Sequence, residues 1–380
     1  MQFKDIPGHE AIKKRLIRTV TDQRISSTQL FCGPEGNGAF GLAVAYCQYI
    51  ACENKGAEDS CGKCPSCLKF QKYAHADLHF SFPVNRKSEG TKDMNSDEFM
   101  VQFRAYLMKD FFISLSEWKD EIEIDNKMPL ITVYEASNII RKLNYKSFDS
   151  EYKFLIMWMP ERMNTEAANR LLKTFEEPFE KTLIIMVAED YDAILKTILS
   201  RAQLIKIPPY KTPEISEMLQ NRLQIAKQQA DKIATVAEGN YNKAKQMATH
   251  GEDFTQSFDY FRQWLRDIIT FNITNLLKEM DEFSRMGRES QKDFLNYALF
   301  MIRQVTALRF GPGVEVLSSE EYDFAQKFSD FIQTTTAEDA NQLFNDAIYH
   351  IERNGNAKMI FLDLSLNLGK ILKRDRQVSR

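Results

Sequence analysis

"YKFLIMWMPERMNTEAANRLLKTFEEPFEKTLIIMVAED", residues 152–190, decides the fold. Its first nine residues are apolar almost without a break, and "TLIIMVA" near its end is the same. Unbroken apolar runs of this length suit strands buried on both faces of a parallel sheet, because a strand wet on one face alternates. Between the runs, Asn164 or Thr165 is placed to cap a helix over "EAANRLLKTFEE". Pro178 disfavours helical geometry at Glu177, so the helix is expected to stop there. Strand, helix, strand in this order predicts a parallel α/β sheet.

The same grammar extends in both directions. Upstream, "STQLFCG" (27–33) reads as a strand entering a glycine turn, and "GLAVAYCQYIAC" (41–52) as a helix. Downstream, "AQLIKIPP" (202–209) reads as a further strand. Pro208, Pro209 and Pro213 then punctuate the chain, and no strand of similar quality follows. "ATVAEGNYNKAKQMA" (234–248) holds two helical patterns around Gly239. From about residue 252 the pattern is helical. Phe254, Phe258, Phe261, Trp264, Leu265 and Ile268 form one apolar stripe, and Ala298, Met301, Ile302, Val305 and Leu308 another. "FGPGVEV" (310–316) breaks the pattern, and helices near 336–351 and 357–373 follow. Residues 84–130 fit no compact element, and within them "NRKSEGTKDMNSDEF" (85–99) reads as a mobile polar loop.

Composition bounds the function classes. The 380 residues suffice for two or three domains. A net charge of −3 excludes a chain that coats nucleic acid by bulk positive charge. No apolar run approaches the roughly 18 residues that span a bilayer, and "MQFKDIPGHE" lacks the apolar centre of a signal peptide. The expectation is a cytoplasmic protein without a membrane partner. All 6 cysteines fall between Cys32 and Cys67. Such clustering in a long intracellular chain favours metal over disulfides.

Four stretches carry chemistry. "FCGPEGNGAF" (31–40) keeps the glycine frame of a phosphate-binding loop in Gly33, Gly36 and Gly38. Ala39 stands where the lysine belongs, and Phe40 where the metal-binding hydroxyl belongs. Taken alone it is either a degenerate nucleotide site or a turn kept for packing. Cys52, Cys61, Cys64 and Cys67 have the spacing of a four-thiolate knuckle, which predicts a closed, structural zinc site. His75 and His79 lie near enough in sequence to be spare ligands. After the strand "YKFLIMWMP", the positions of a magnesium-binding aspartate and a catalytic glutamate read Trp158 and Met159, with Glu161 two residues beyond. In "LKTILSRAQ", Ser200 and Arg201 follow a helical turn, and Arg201 is either a surface charge or an arginine finger.

Together these stretches resemble the clamp-loader subunits of bacterial DNA polymerase III, within the AAA+ ATPases. "NRLLKTFEEP" with "TILSR" is specific to that pattern, and the likeness covers residues 1–245. The resemblance implies a AAA+ phosphate-loop α/β domain over 1–210, carrying a zinc knuckle at 52–67 and an insertion at about 84–130. It implies a small helical lid over 211–250 and an all-α collar over 251–380. It also implies that the sensor-1 threonine is Ala188 and the sensor-2 arginine is Asn242, so every nucleotide-handling position departs from the active pattern while Arg201 is kept.

That distribution implies a non-catalytic member of the family. Such a subunit would bind no ATP of its own and would hold the gamma/tau and delta subunits in an arc. It would present Arg201, with Ser200 beside it, to a neighbour's ATP while the sliding clamp is placed on primer-template DNA. Two other expectations compete. One is a divergent gamma/tau-like ATPase. The other is a zinc-dependent nucleic-acid-binding module presenting Lys55, Lys63 and Lys69, against which the acidic neighbours Glu53, Glu58 and Asp59 argue.

Overall fold

The computed structural model describes residues 1–85, 94–124, 127–249, 254–311, 317–329, 332, 334–353 and 355–378. Among these, five strands form one parallel sheet: β1 (Thr28–Cys32), β2 (Leu78–Ser81), β3 (Lys153–Trp158), β4 (Thr182–Ala188) and β5 (Gln203–Lys206), in the order β2-β3-β4-β1-β5. The register places Phe31 beside Val187 and Met157 beside Met186, so the carboxyl ends of β1, β3 and β4 lie level. Every residue of β1, β3 and β4 is buried, which is why these strands read as continuous apolar runs.

The local expectations of the opening stretch hold. The helix Thr165–Glu176 begins where the Asn164 side chain accepts the Ala167 N–H at 2.8 Å, and Glu177 closes it ahead of Pro178. The helix Ala39–Ala51 is apolar all round because it is buried all round, with only its last residue reaching solvent.

The segment 84–130 corrects an expectation. Its ends are pinned by a two-way backbone bridge, Val84 to Leu130 at 3.1 Å in each direction. Between them run the helices Met100–Lys109 and Leu115–Glu121. Phe103, Tyr106, Leu107 and Trp118 are buried, and the Trp118 indole donates to the Pro83 carbonyl at 2.8 Å. Each such side chain contributes about 1.5–3 kcal/mol on burial, so the segment belongs to the core. The loop expected at 85–99 lies partly outside the described residues, at 86–93. Its end is a capped turn, Ser96–Phe99, whose Ser96 N–H and Oγ both donate to the buried Glu135 carboxylate at 2.7 Å. The polar composition of the stretch hid that anchor.

By internal contacts the chain divides into two units, residues 1–218 with 238–243, and residues 219–237 with 244–380. The segment 211–250 is therefore shared between them. The second unit is all helical in its described residues. Its first stripe is core: Phe258, Phe261, Trp264, Leu265 and Ile268 are buried, and the Trp264 indole donates to Ser365 Oγ at 2.9 Å. The side chain of Phe254 and residues 312–316 of "FGPGVEV" lie outside the described set. Among the described residues, no helix is long and apolar enough to cross a membrane.

Candidate functional site

The glycine loop leaves the end of β1 and lies beside the ends of β3 and β4, the crevice where open α/β sheets bind ligands. A pocket there is lined by residues 33–40, Phe111, Phe112, Ile113, Trp158 and residues 187–189. The room left between these side chains is about 30 Å³, a space on the scale of water molecules.

The loop is satisfied by its own chain. Its backbone needs glycine at Gly36 and Gly38, where φ is +71° and +76°. A Cβ at Gly36 would stand 2.2 Å from Asn240 Oδ1, and one at Gly38 would stand 2.4 Å from the Tyr210 hydroxyl. The Ala39 N–H sits at the helix N-terminus, where a working loop meets an anion. Here it donates to Asn37 Oδ1 at 3.0 Å. Gly33 donates its N–H to the Ala188 carbonyl at 3.2 Å.

Phe40 lines the pocket and fills the space beneath it. Its ring centroid lies 6.1 Å from both Phe80 and Phe103. Trp158 extends this layer, 6.2 Å from Phe103. Met159 is buried at φ +57°, a left-handed conformation uncommon outside glycine, and its N–H donates to Val187 at 2.8 Å. Ala188 and Asn242 are both buried. The Asn242 amide donates to the Ile113 carbonyl at 3.0 Å and to Glu35 Oε1 at 3.2 Å.

Carboxylates gather at this end of the sheet. Glu161 accepts the Glu189 N–H at 2.9 Å, and burial raises its affinity for a proton. Burial pushes Glu189 well above the ordinary carboxyl range, and the charges of Glu35 and Glu161 push it further.

Arg201 stands apart from that pocket. Its Nη1 donates to the Thr197 carbonyl at 2.8 Å and to Ser200 Oγ at 3.1 Å. Its Nε lies 3.2 Å from Glu176 Oε2. Ser200 is exposed and donates to the same Thr197 carbonyl at 3.1 Å.

The four cysteines singled out by spacing come together. Cys52 follows the helix Ala39–Ala51, Cys61 and Cys64 flank a turn, and Cys67 lies in the helix Pro65–Gln71, which Cys64 caps. Their sulfurs all lie within 4.8 Å of one another. The Cys61 and Cys67 sulfurs are 3.9 Å apart, close to the edge of a tetrahedron built from bonds of about 2.3 Å. Backbone N–H groups of Cys61, Cys64 and Cys67 point at the sulfurs of Cys52, Cys61 and Cys64 at 3.2–3.5 Å. Amides of Lys63 and Cys64 bring the Cys61 thiol down to about 6. The arrangement fits a metal ion. His75 and His79 are not in the cluster; His75 Nδ1 accepts the Asp77 N–H at 3.2 Å.

Phe111, Phe112, Ile113 and Glu189 contribute to the pocket and escaped the sequence reading. The signal for the first two was the apolar burst "FFISL" inside a polar stretch.

A family model described as "DNA polymerase III, delta subunit" matches residues 8–211, more than half of the chain. The chain is 22% identical over 334 residues to DNA polymerase III subunit tau of Bacillus subtilis, covering 83% of this chain and 51% of that protein. It is 24% identical over 208 residues to subunit delta' of the same organism, covering 55% and 50%. It is 27% identical over 169 residues to subunit delta' of Haemophilus influenzae, covering 44% and 38%. The chain thus spans about half the length, or less, of these curated relatives. From the glycine loop at the end of β1 to the stretch around Arg201, the matched residues contain the whole sheet, and the chain belongs to the DNA polymerase III delta-subunit family, as a clamp-loader subunit of the delta-prime type.

Proposed function

We propose that this chain is a non-catalytic clamp-loader subunit that neither binds nor hydrolyses ATP and acts on a neighbour's nucleotide through Arg201. One observation carries the reading: the phosphate-loop pocket is lined by the chain's own Phe111, Phe112 and Trp158, with Glu35 and Glu189 on its wall and Ala39 and Phe40 at the lysine and hydroxyl positions. A catalytic pocket needs an ammonium on the β/γ-phosphates and a hydroxyl on Mg²⁺. Ala39 and Phe40 supply neither.

In this reading the chain works in the cytoplasm, holding gamma/tau and delta subunits while the sliding clamp is loaded on primer-template DNA. An arginine finger needs a rigid platform and a neighbour's γ-phosphate, and no metal site of its own. Residues 1–210 would form the AAA+ platform, 211–250 the lid and 251–380 the collar. The cysteine cluster would hold a structural zinc on Cys52, Cys61, Cys64 and Cys67. Four thiolates leave no open coordination position, so the metal would fasten the turn 52–67 without taking part in a reaction.

A nucleic-acid-binding knuckle is less well supported. Lys69 is ion-paired with Asp149 at 2.6 Å, and Lys55 donates to the Ile50 carbonyl at 3.2 Å. The test is ATP turnover and equilibrium nucleotide binding by the isolated chain, then ATPase of gamma/tau and delta with and without it. The expected result is no binding by the chain alone and stimulated turnover in the assembly. Hydrolysis by the chain alone that vanishes when the pocket is mutated would overturn the reading.

A further inference from the structure

The turn between Cys52 and Cys61 is held from outside by residues 2–4. The Asp59 carboxylate takes the Phe3 N–H at 3.1 Å on Oδ1 and the Lys4 N–H at 3.0 Å on Oδ2. These N–H groups open the helical turn Phe3–Asp5, where leading donors have no partner within the helix. Asp59 Oδ1 also takes the N–H of Ser60 at 2.7 Å. Ser60 precedes Cys61, whose own N–H points at the Cys52 sulfur at 3.2 Å. The Gln2 side-chain amide donates to the Ser60 carbonyl, and Gln48 donates to Ser60 Oγ at 2.9 Å. The Phe3 side chain is buried, its ring 5.9 Å from Tyr49, whose hydroxyl donates to the Gly56 carbonyl at 3.0 Å. On the far side of Cys61, a Cβ at Gly62 would stand 2.6 Å from Gln2 Oε1.

We propose that Asp59 is a positioning residue for the metal site: it fastens residues 2–4 onto the cysteine turn, so that zinc binding and docking of this strap stabilise each other. Residues 53–60 belong to no helix or strand, and 53–58 are exposed. Their order therefore comes from two fastenings, the cysteines and the strap. Each fastening restricts the same stretch of chain, so whichever forms first spares the other part of the ordering entropy. By linkage, the strap tightens zinc by the same factor that zinc tightens the strap. Loss of groups that orient metal ligands typically costs 10–100-fold in metal affinity. The inference rests on the reading of the four cysteines as a zinc site and adds what holds that site in shape.

Zinc affinity of the full chain, measured in competition with a chromogenic chelator, tests it together with hydrogen exchange of residues 2–9. D59A should weaken zinc about tenfold or more. K4P, which removes one N–H donor under an exposed side chain, should weaken it threefold or more. Removing zinc from the wild type should speed exchange in 2–9 at least threefold and leave 258–268 unchanged. Metal-free D59A and metal-free wild type should melt together, whereas the zinc-loaded forms should not. Wild-type zinc affinity in both variants would overturn the proposal and leave the zinc reading standing. So would a melting loss in D59A that is equal with and without zinc, since Asp59 would then act on the fold alone. Purified wild type without zinc would overturn both. If D59A does not fold, K4P and the exchange of 2–9 decide.

Discussion

Arg201 gives the most direct trial of the functional reading. In this structure its guanidinium is turned onto its own subunit, 3.2 Å from Glu176, with the side chains 30% and 55% exposed. A solvent-reached pair of this kind contributes ~0.2–1 kcal/mol. That holds the arginine back by a factor of about 1.4–5, using RT of about 0.59 kcal/mol. An arginine finger is worth about 10³–10⁵ in rate. The two effects differ by orders of magnitude, so they separate cleanly. In a complex reconstituted with gamma/tau and delta, R201A should lower single-turnover hydrolysis at the facing site by about 10³-fold or more. E176Q should change it by less than about fivefold, and upward. R201K should recover little, because a point ammonium does not reproduce the guanidinium fork. Gel filtration of each complex checks assembly. Normal hydrolysis in an assembled R201A complex would refute the reasoning. So would E176Q falling as far as R201A, since the arginine would then matter as a clasp within its own chain.

Two further outcomes follow from the geometry. Purified protein should carry one zinc per chain, and C64S should lose it together with several degrees of thermal stability; a C64S variant with full zinc content would return the cluster to four free thiols. Burial, with Asp267 and Glu282 nearby, pushes the Glu279 carboxyl in the second unit up to about 8. As pH rises from about 4.5 to 8 the unfolded chain ionises while the folded group keeps its proton, so stability is lost across that window. E279Q should melt above the wild type at pH 8 and together with it near pH 4.5, and equal slopes for the two would refute this.

The strands buried on both faces were legible from composition alone, and β5 was read as well although only its Ile205 is buried. β1, β3 and β4 are buried on both faces, and the helix between β3 and β4 carries its own cap and stop. β2 was missed because four residues, with His79 among them, make no signal. The cysteine cluster was legible because its members are closely spaced along the chain. The contents of the pocket were not. Phe111 and Phe112 reach the loop from some 70 positions away, by tertiary packing that leaves no period in the sequence. The convergence of Glu35, Glu161 and Glu189 depends on the level ends of β1, β3 and β4, a matter of register that composition does not encode. The polar stretch around 85–99 drew attention away from the buried helices that follow it.

The bridge between Val84 and Leu130 brings together the two ends of the segment that carries Phe111 and Phe112. Side chains tethered in this way meet their contacts at an effective concentration of about millimolar or above. The entropy of bringing Phe111 to Gly41 is thus spent when the segment closes at its base, before the ring meets the helix.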